Sequence, residues 1–158
     1  MTSTRAVTPA GAVSEETDPL LEAVQKTARG LVALTATALM RVSPPGGGVS
    51  LPGYRVLLLI VGGLTAPSDL AEELDVTRPA VAQILGRLEA RRLIVRRSHG
   101  EDGRRSVLWV TARGRALIDA VTRERAHRLR PALKQLTEGE RDELLHGLSR
   151  LEQALSAK

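Results

Sequence analysis

The chain contains no cysteine and no phenylalanine. The first absence removes disulfides, thiolate metal sites and thiol-based redox sensing together. The second, with one tyrosine (Tyr54) and one tryptophan (Trp109), leaves Leu, Val, Ile and Ala to build the core. It also withholds the aromatic platforms on which single-stranded nucleic acids stack. His99, His127 and His146 are scattered without ligand spacing, so no metal is expected. No stretch approaches the roughly 20 apolar residues that span a bilayer, and the opening MTSTRAVTPAGAVSEETDP lacks the apolar core of a signal peptide. These absences predict a cytoplasmic protein without cofactor or membrane partner.

What is present is arginine, unevenly placed. The 158 residues carry a net charge of +5. Between Thr77 and Arg115, ten arginines face only Glu89, Glu101 and Asp102, so this segment alone carries +7 and the remainder is slightly acidic. Positive potential focused on one segment is the footprint expected of a nucleic-acid partner. A membrane-surface patch would share the sign but calls for a basic amphipathic helix with bulky aromatics. Arginine's planar fork suits bidentate pairing with phosphates or guanine edges better than lysine does.

Apolar spacing predicts the elements. Residues 1–17, rich in Ser, Thr, Ala, Gly and Pro, read as a disordered arm. Leu20, Val24, Leu31, Leu34 and Ala38 follow a helical period to about Arg41, and SPPGGGVS breaks it. A second helix starts near Pro52 and stops at Gly62-Gly63. A third follows Pro67, with Leu70, Ala71 and Leu74 on one face. Thr77 then caps a fourth, in which Val81, Ile84, Leu85 and Leu88 fall on one face and Pro79, Gln83, Gly86, Arg87 and Ala90 on the other. Leu93–Arg97 and Ser106–Val110 read as an antiparallel hairpin around a glycine-containing turn. Val107 and Trp109 share one face of its second strand, on which reading Trp109 anchors the hairpin to the core. Thr111 caps a long helix, and TEGE (Thr137 to Glu140) is a capping box opening a last helix with a seam of Leu144, Leu148, Leu151 and Leu155. Such a seam needs a partner helix.

Two short helices joined by a tight turn, followed by a basic hairpin, make a winged helix-turn-helix. The helix width suits the major groove of duplex DNA, and a hairpin tip can reach the adjacent minor groove. Arg96 and Arg97 lie at one foot of the hairpin, where they can neutralise phosphates, and Arg104 and Arg105 lie just past its tip. Asp102 stands two residues before Arg104, a spacing at which a carboxylate can orient a guanidinium for insertion into a narrow minor groove.

The run PSDLAEELDVTRPAVAQILGRLEARRLIVRRSHGEDGRRSVLWVTARGRAL, with LPGYRVLLLI before it, resembles the MarR family of bacterial transcription regulators over roughly residues 20–155. The resemblance implies a mainly α fold with a small β-hairpin wing, a winged helix-turn-helix with long N- and C-terminal dimerisation helices. It divides the chain into an arm (1–17), a dimerisation helix and linker (18–50), a DNA-binding domain (51–110) and C-terminal dimerisation helices (111–158). It further implies a homodimer on a pseudo-palindromic operator of double-stranded DNA, a repressor that answers to a small aromatic or anionic effector. Thr77, Arg78, Gln83 and Arg87 would then face the major groove or its phosphates, while Asp102 and Arg104 match the family's wing motif. Arg41, Tyr54 and Arg55 fall where an effector cleft would lie, although Tyr54 fits a packing role as well. Three features depart from the pattern. Ala80 and Ala82 replace common hydroxyl residues, Arg92 stands where glycine often closes the helix, and the Pro-Pro-Gly-Gly-Gly link is not a family feature.

Other classes fit less well. An enzyme would have to use Glu72, Glu73 and Asp75, or His99 with Glu101 and Asp102, yet these lie in a helix turn and a hairpin tip without an activated nucleophile. An architectural DNA binder would lack an operator. A winged-helix protein-interaction module would keep the fold without salt-dependent duplex binding.

Overall fold

The computed structural model describes residues 18–43, 47–99 and 105–157. The arm at 1–17, the first part of the Pro-Pro-Gly-Gly-Gly link and the hairpin tip therefore lie outside the described residues. The order is α1 (Pro19–Val42), α2 (Leu51–Val61), α3 (Pro67–Glu73), α4 (Arg78–Ala90), β1 (Ile94–His99), β2 (Arg105–Val110), α5 (Ala112–Leu133) and α6 (Glu138–Ser156). This is the mainly helical, winged architecture expected from the sequence.

Local chemistry explains where each helix starts. Asp18, Ser50, Thr77, Thr111 and Thr137 each accept a backbone N–H in the first turn of the helix that follows. Among the described helices only α3 begins without a side-chain cap, at Ala66 followed by Pro67. A proline there removes an N–H that would otherwise stay unpaired.

Three consecutive helices end in the same way. After α2, Gly63 takes a φ of 104°; after α3, Asp75 takes 51°; after α4, Arg92 takes 56°. Each left-handed residue lets the next N–H reach back five residues, Leu64 to Leu59 at 3.0 Å, Val76 to Ala71 at 3.1 Å and Leu93 to Leu88 at 3.0 Å. These are Schellman closures, which satisfy carbonyls at the helix end and bury an apolar contact beneath the turn. Arg92 thus adopts the glycine conformation without being glycine. Leu93 is committed to this closure, which is why β1 begins at Ile94 rather than at the expected Leu93. The hairpin in turn runs one or two residues nearer its tip on each side.

The core has two parts. Val56, Leu57 and Ile60 of α2, Leu70 of α3, Val81, Leu85 and Leu88 of α4, and Ile94, Leu108 and Val110 of the hairpin are all buried together. A smaller cluster joins Ala38 and Leu39 of α1 to Tyr54 of α2 and Val121 of α5, with Leu117 and Ile118 packed against both. The hairpin register pairs Ile94 with Val110, Val95 with Trp109, and Arg96 with Leu108. Alternation along the strands therefore turns Leu108 and Val110 inward, and Trp109 outward at 46% exposure. The expected anchoring of the wing by Trp109 is corrected: Leu108 does this, and its N–H also reaches the Thr65 carbonyl at 3.2 Å.

Thr111 and Gly114 lock the wing to α5. The Thr111 hydroxyl lies 2.8 Å from the Arg92 carbonyl and accepts from the Gly114 N–H at 3.1 Å. A β-carbon on Gly114 would fall on the Leu93 carbonyl oxygen and within 2.6 Å of Val110 Cγ1, so the helix approaches this closely only with glycine there.

Helix α1 is buried only near its C-terminal end, and α6 is not buried at all. Leu20 is 70% exposed. Leu144, Leu145, Leu148, Leu151 and Leu155 all face outward. No helix among the described residues is long and apolar enough to cross a membrane.

Candidate nucleic-acid interface

Helix α4 is positioned by its buried face. Val81, Leu85 and Leu88 pack into the core and Ile84 is partly covered. The opposite face, Pro79, Gln83, Gly86, Arg87 and Ala90, is exposed as the periodicity implied. Thr77 accepts from the Ala80 N–H at 3.4 Å, and Arg78 follows it in the exposed first turn. A β-carbon on Gly86 would meet nothing within 4 Å, so the middle of this face is open. Gly86, between Gln83 and Arg87 on this face, leaves room for a groove wall to approach their amide and guanidinium.

The arginines around this face divide by partner. Arg78 and Arg87 are exposed. Arg91 donates to the Gly48 carbonyl, tying the end of α4 to the segment that leads into α2. Arg96 points toward α4 and donates from Nε to Glu89 Oε1 at 2.5 Å. Arg97, on the other side of the strand, lies over the Trp109 ring at 5.7 Å from its centroid. The two feet residues grouped together from sequence are thus on opposite faces of the wing. Arg105 pairs through its backbone with His99. Asp102 and Arg104 lie outside the described residues.

A second feature lies between α1, α2 and α5. An apolar cavity of about 520 Å³ is lined by Leu31 and Thr35 of α1, Tyr54 and Arg55 of α2, Ile84 of α4 and Arg125 of α5, among others. Tyr54 is 4% exposed and belongs to the smaller core cluster, so it packs and borders the cavity at once. Arg55 leans toward Glu73, 3.8 Å away. Arg41 does not line the cavity and instead faces Glu124 at 3.7 Å. Arg125 does line it, and its Nε is buried with no hydrogen-bond partner among the described residues. A long helix with many charges gives no sequence signal that singles out Arg125.

Of the alternative acid–base groups, Glu101 and Asp102 lie outside the described residues. Glu72 and Glu73 are exposed, and Asp75 occupies the left-handed turn position after α3. Among the described residues no three His, Cys, Asp or Glu side chains come together in a way that could hold a metal.

Comparison with known proteins agrees with this geometry. Residues 48–105 match the MarR family model. The chain is 33% identical over 109 residues to the uncharacterized HTH-type transcriptional regulator YfiV of Bacillus subtilis (strain 168), covering 68% of each protein. Among solved structures, RV1404 from Mycobacterium tuberculosis superposes with a TM-score of 0.76 at 26% identity, over 91% of this chain and 97% of that one. A point mutant of S. aureus MepR, bound to an oligodeoxyribonucleotide, shares the fold with a TM-score of 0.61 at 22% identity, over 87% and 99% of the two chains. With its exposed α4 face, basic wing and these relatives, the chain belongs to the MarR family and is a winged-helix, DNA-binding transcription regulator.

Proposed function

We propose that the protein is a cytoplasmic homodimeric repressor that reads a pseudo-palindromic operator and is released from it by a small anionic, largely apolar ligand. The observation that carries the reading is the exposed face of α4, where Gln83 and Arg87 stand beside Gly86 and Ala90, opposite the face that Val81, Leu85 and Leu88 bury. Gln83 suits bidentate pairing with adenine, and Arg87 suits guanine or a phosphate. Thr77 and Arg78 sit at the positive end of the same helix, where phosphate is favoured. Arg97 and Arg105 flank the wing, with Asp102 orienting Arg104 for the minor groove. The oligodeoxyribonucleotide held by MepR supports the same use of the fold.

Homodimerisation is supported by the exposed apolar faces of α1 and α6, which the single chain leaves uncovered. The ligand reading is supported by the cavity between α1, α2 and α5 and by the unpaired Nε of Arg125 in its wall. A buried guanidinium N–H without a partner is costly even on a partly exposed arginine, and an anionic ligand would supply one.

Selection of bound genomic fragments followed by footprinting tests the reading. It should recover a two-fold symmetric site whose half-sites lie about one helical turn apart. Gln83→Ala should relax preference at one base position per half-site by roughly 1–3 kcal/mol. Uniform weakening over all sequences would make Gln83 a backbone contact, and a footprint without sequence preference would favour an architectural role. In sedimentation, removal of residues 137–158 should abolish the dimer. Calorimetry against phenolic acids should show binding that Arg125→Gln weakens, and absence of any binding removes the effector part.

A further inference from the structure

Glu89 is the only acidic residue among the described residues from Thr77 to Arg115. A carboxylate inside a segment facing a polyanion weakens binding unless it does something else. Here it holds Arg96, with Nε 2.5 Å from Oε1, one residue before α4 ends and two residues after β1 begins. The register places Arg96 opposite Leu108, on the strand face that turns toward α4, whereas Val95 and Arg97 turn away with Trp109. Between the partners the chain reverses through Arg91, Arg92 and Leu93, with Arg92 in the left-handed region. The reading helix and the wing are therefore joined by a short turn and, beside it, by this charge-assisted bond.

We propose that Glu89 is a specificity-determining positioning residue, which through Arg96 fixes the wing's angle to the reading helix and withholds one cation from non-specific phosphate contact. The proposal rests on the operator reading above. A helix in one groove and a wing in the next can both engage only if their separation is held, so a braced wing favours sequences that fit both. A loose wing settles on any backbone. The pair is partly exposed, at 43% and 32% for the two side chains, so it contributes little to stability and its effect appears in discrimination.

The test compares the full chain, Glu89→Gln, Arg96→Gln and the double variant on the selected operator fragment and on a random duplex of equal length, across a salt series. Glu89→Gln should bind the random duplex more tightly, with a log–log salt slope steeper by about 0.9 for the one cation released. Its operator-to-random ratio should fall roughly tenfold. Arg96→Gln should weaken binding to both duplexes yet lower the ratio by the same factor, and the double variant should lose no more than either single one. An unchanged ratio in Glu89→Gln, or losses that add in the double variant, overturns the proposal. So does a lowered unfolding midpoint with the ratio intact, which assigns Glu89 to folding alone. A full chain that prefers no duplex instead overturns the operator reading itself.

Discussion

The guanidinium of Arg97 lies over the indole of Trp109, 5.7 Å from the ring centroid, on the face of the wing that points away from the core. The neighbouring Leu108 is fully buried. The two adjacent positions should therefore respond oppositely to change. Leu108→Ala should cost about 2–5 kcal/mol through the cavity it leaves. Trp109→Leu should cost only about 0.5–1 kcal/mol, the worth of an exposed cation–π contact. Chemical denaturation of both variants checks this, and a larger loss at Trp109 would reverse the assignment of strand faces.

Arg92 carries the cost of a left-handed backbone on a residue with a β-carbon. Arg92→Gly should stabilise the protein by about 0.5–1 kcal/mol after allowing for the entropy glycine loses on folding. Asp75→Gly should gain less, because aspartate tolerates that region better. The denaturant midpoint should rise without a change in slope. A falling midpoint in Arg92→Gly would mean that the arginine side chain makes a contact worth more than the strain.

Two glycines should give opposite signs. Gly114→Ala drives a methyl into the Leu93 carbonyl and Val110, and should destabilise by about 1–3 kcal/mol or more. Gly86→Ala meets open space in the middle of α4 and should stabilise by about 1 kcal/mol through helix propensity. The same methyl stands on the exposed reading face, so operator affinity should fall while the unfolding temperature rises. Stability and affinity moving together at Gly86 would place DNA on another face.

The start of α6 should be acid-sensitive. Glu140 accepts from the Thr137 backbone N–H at 2.8 Å, and the Thr137 hydroxyl lies 2.7 Å from the same oxygen. The backbone bond first, and the hydroxyl second, hold the carboxyl below its ordinary range. A depressed carboxyl stabilises the fold above its unfolded pKa, and that contribution disappears as pH falls through the lower folded value. Helicity of α6 should therefore be constant near neutrality and decline in the acid range. Glu140→Gln should flatten that limb. An identical acid limb in both proteins would show that the capping box is not its source.

The sequence by itself determined where the capped helices begin and which face α4 buries. Side-chain caps at Asp18, Ser50, Thr77, Thr111 and Thr137 are local hydrogen bonds within three residues, and the spacing of Val81, Leu85 and Leu88 is a property of the helix period. The exposed face bearing Gln83 and Arg87 followed from the same arithmetic. Register and partnership did not. The inward choice of Leu108 over Trp109 depends on which face of β2 meets α2 and α5, since both sets of alternate residues are apolar enough to be buried. Arg96 and Arg97 are adjacent in sequence yet meet Glu89 and Trp109 on opposite sides, because successive strand residues point apart. Arg125 reaches the cavity only because α5 packs beside α1 and α2. Pairings between distant segments are set by packing, and one-dimensional periodicity carries no record of which distant side chain will be waiting.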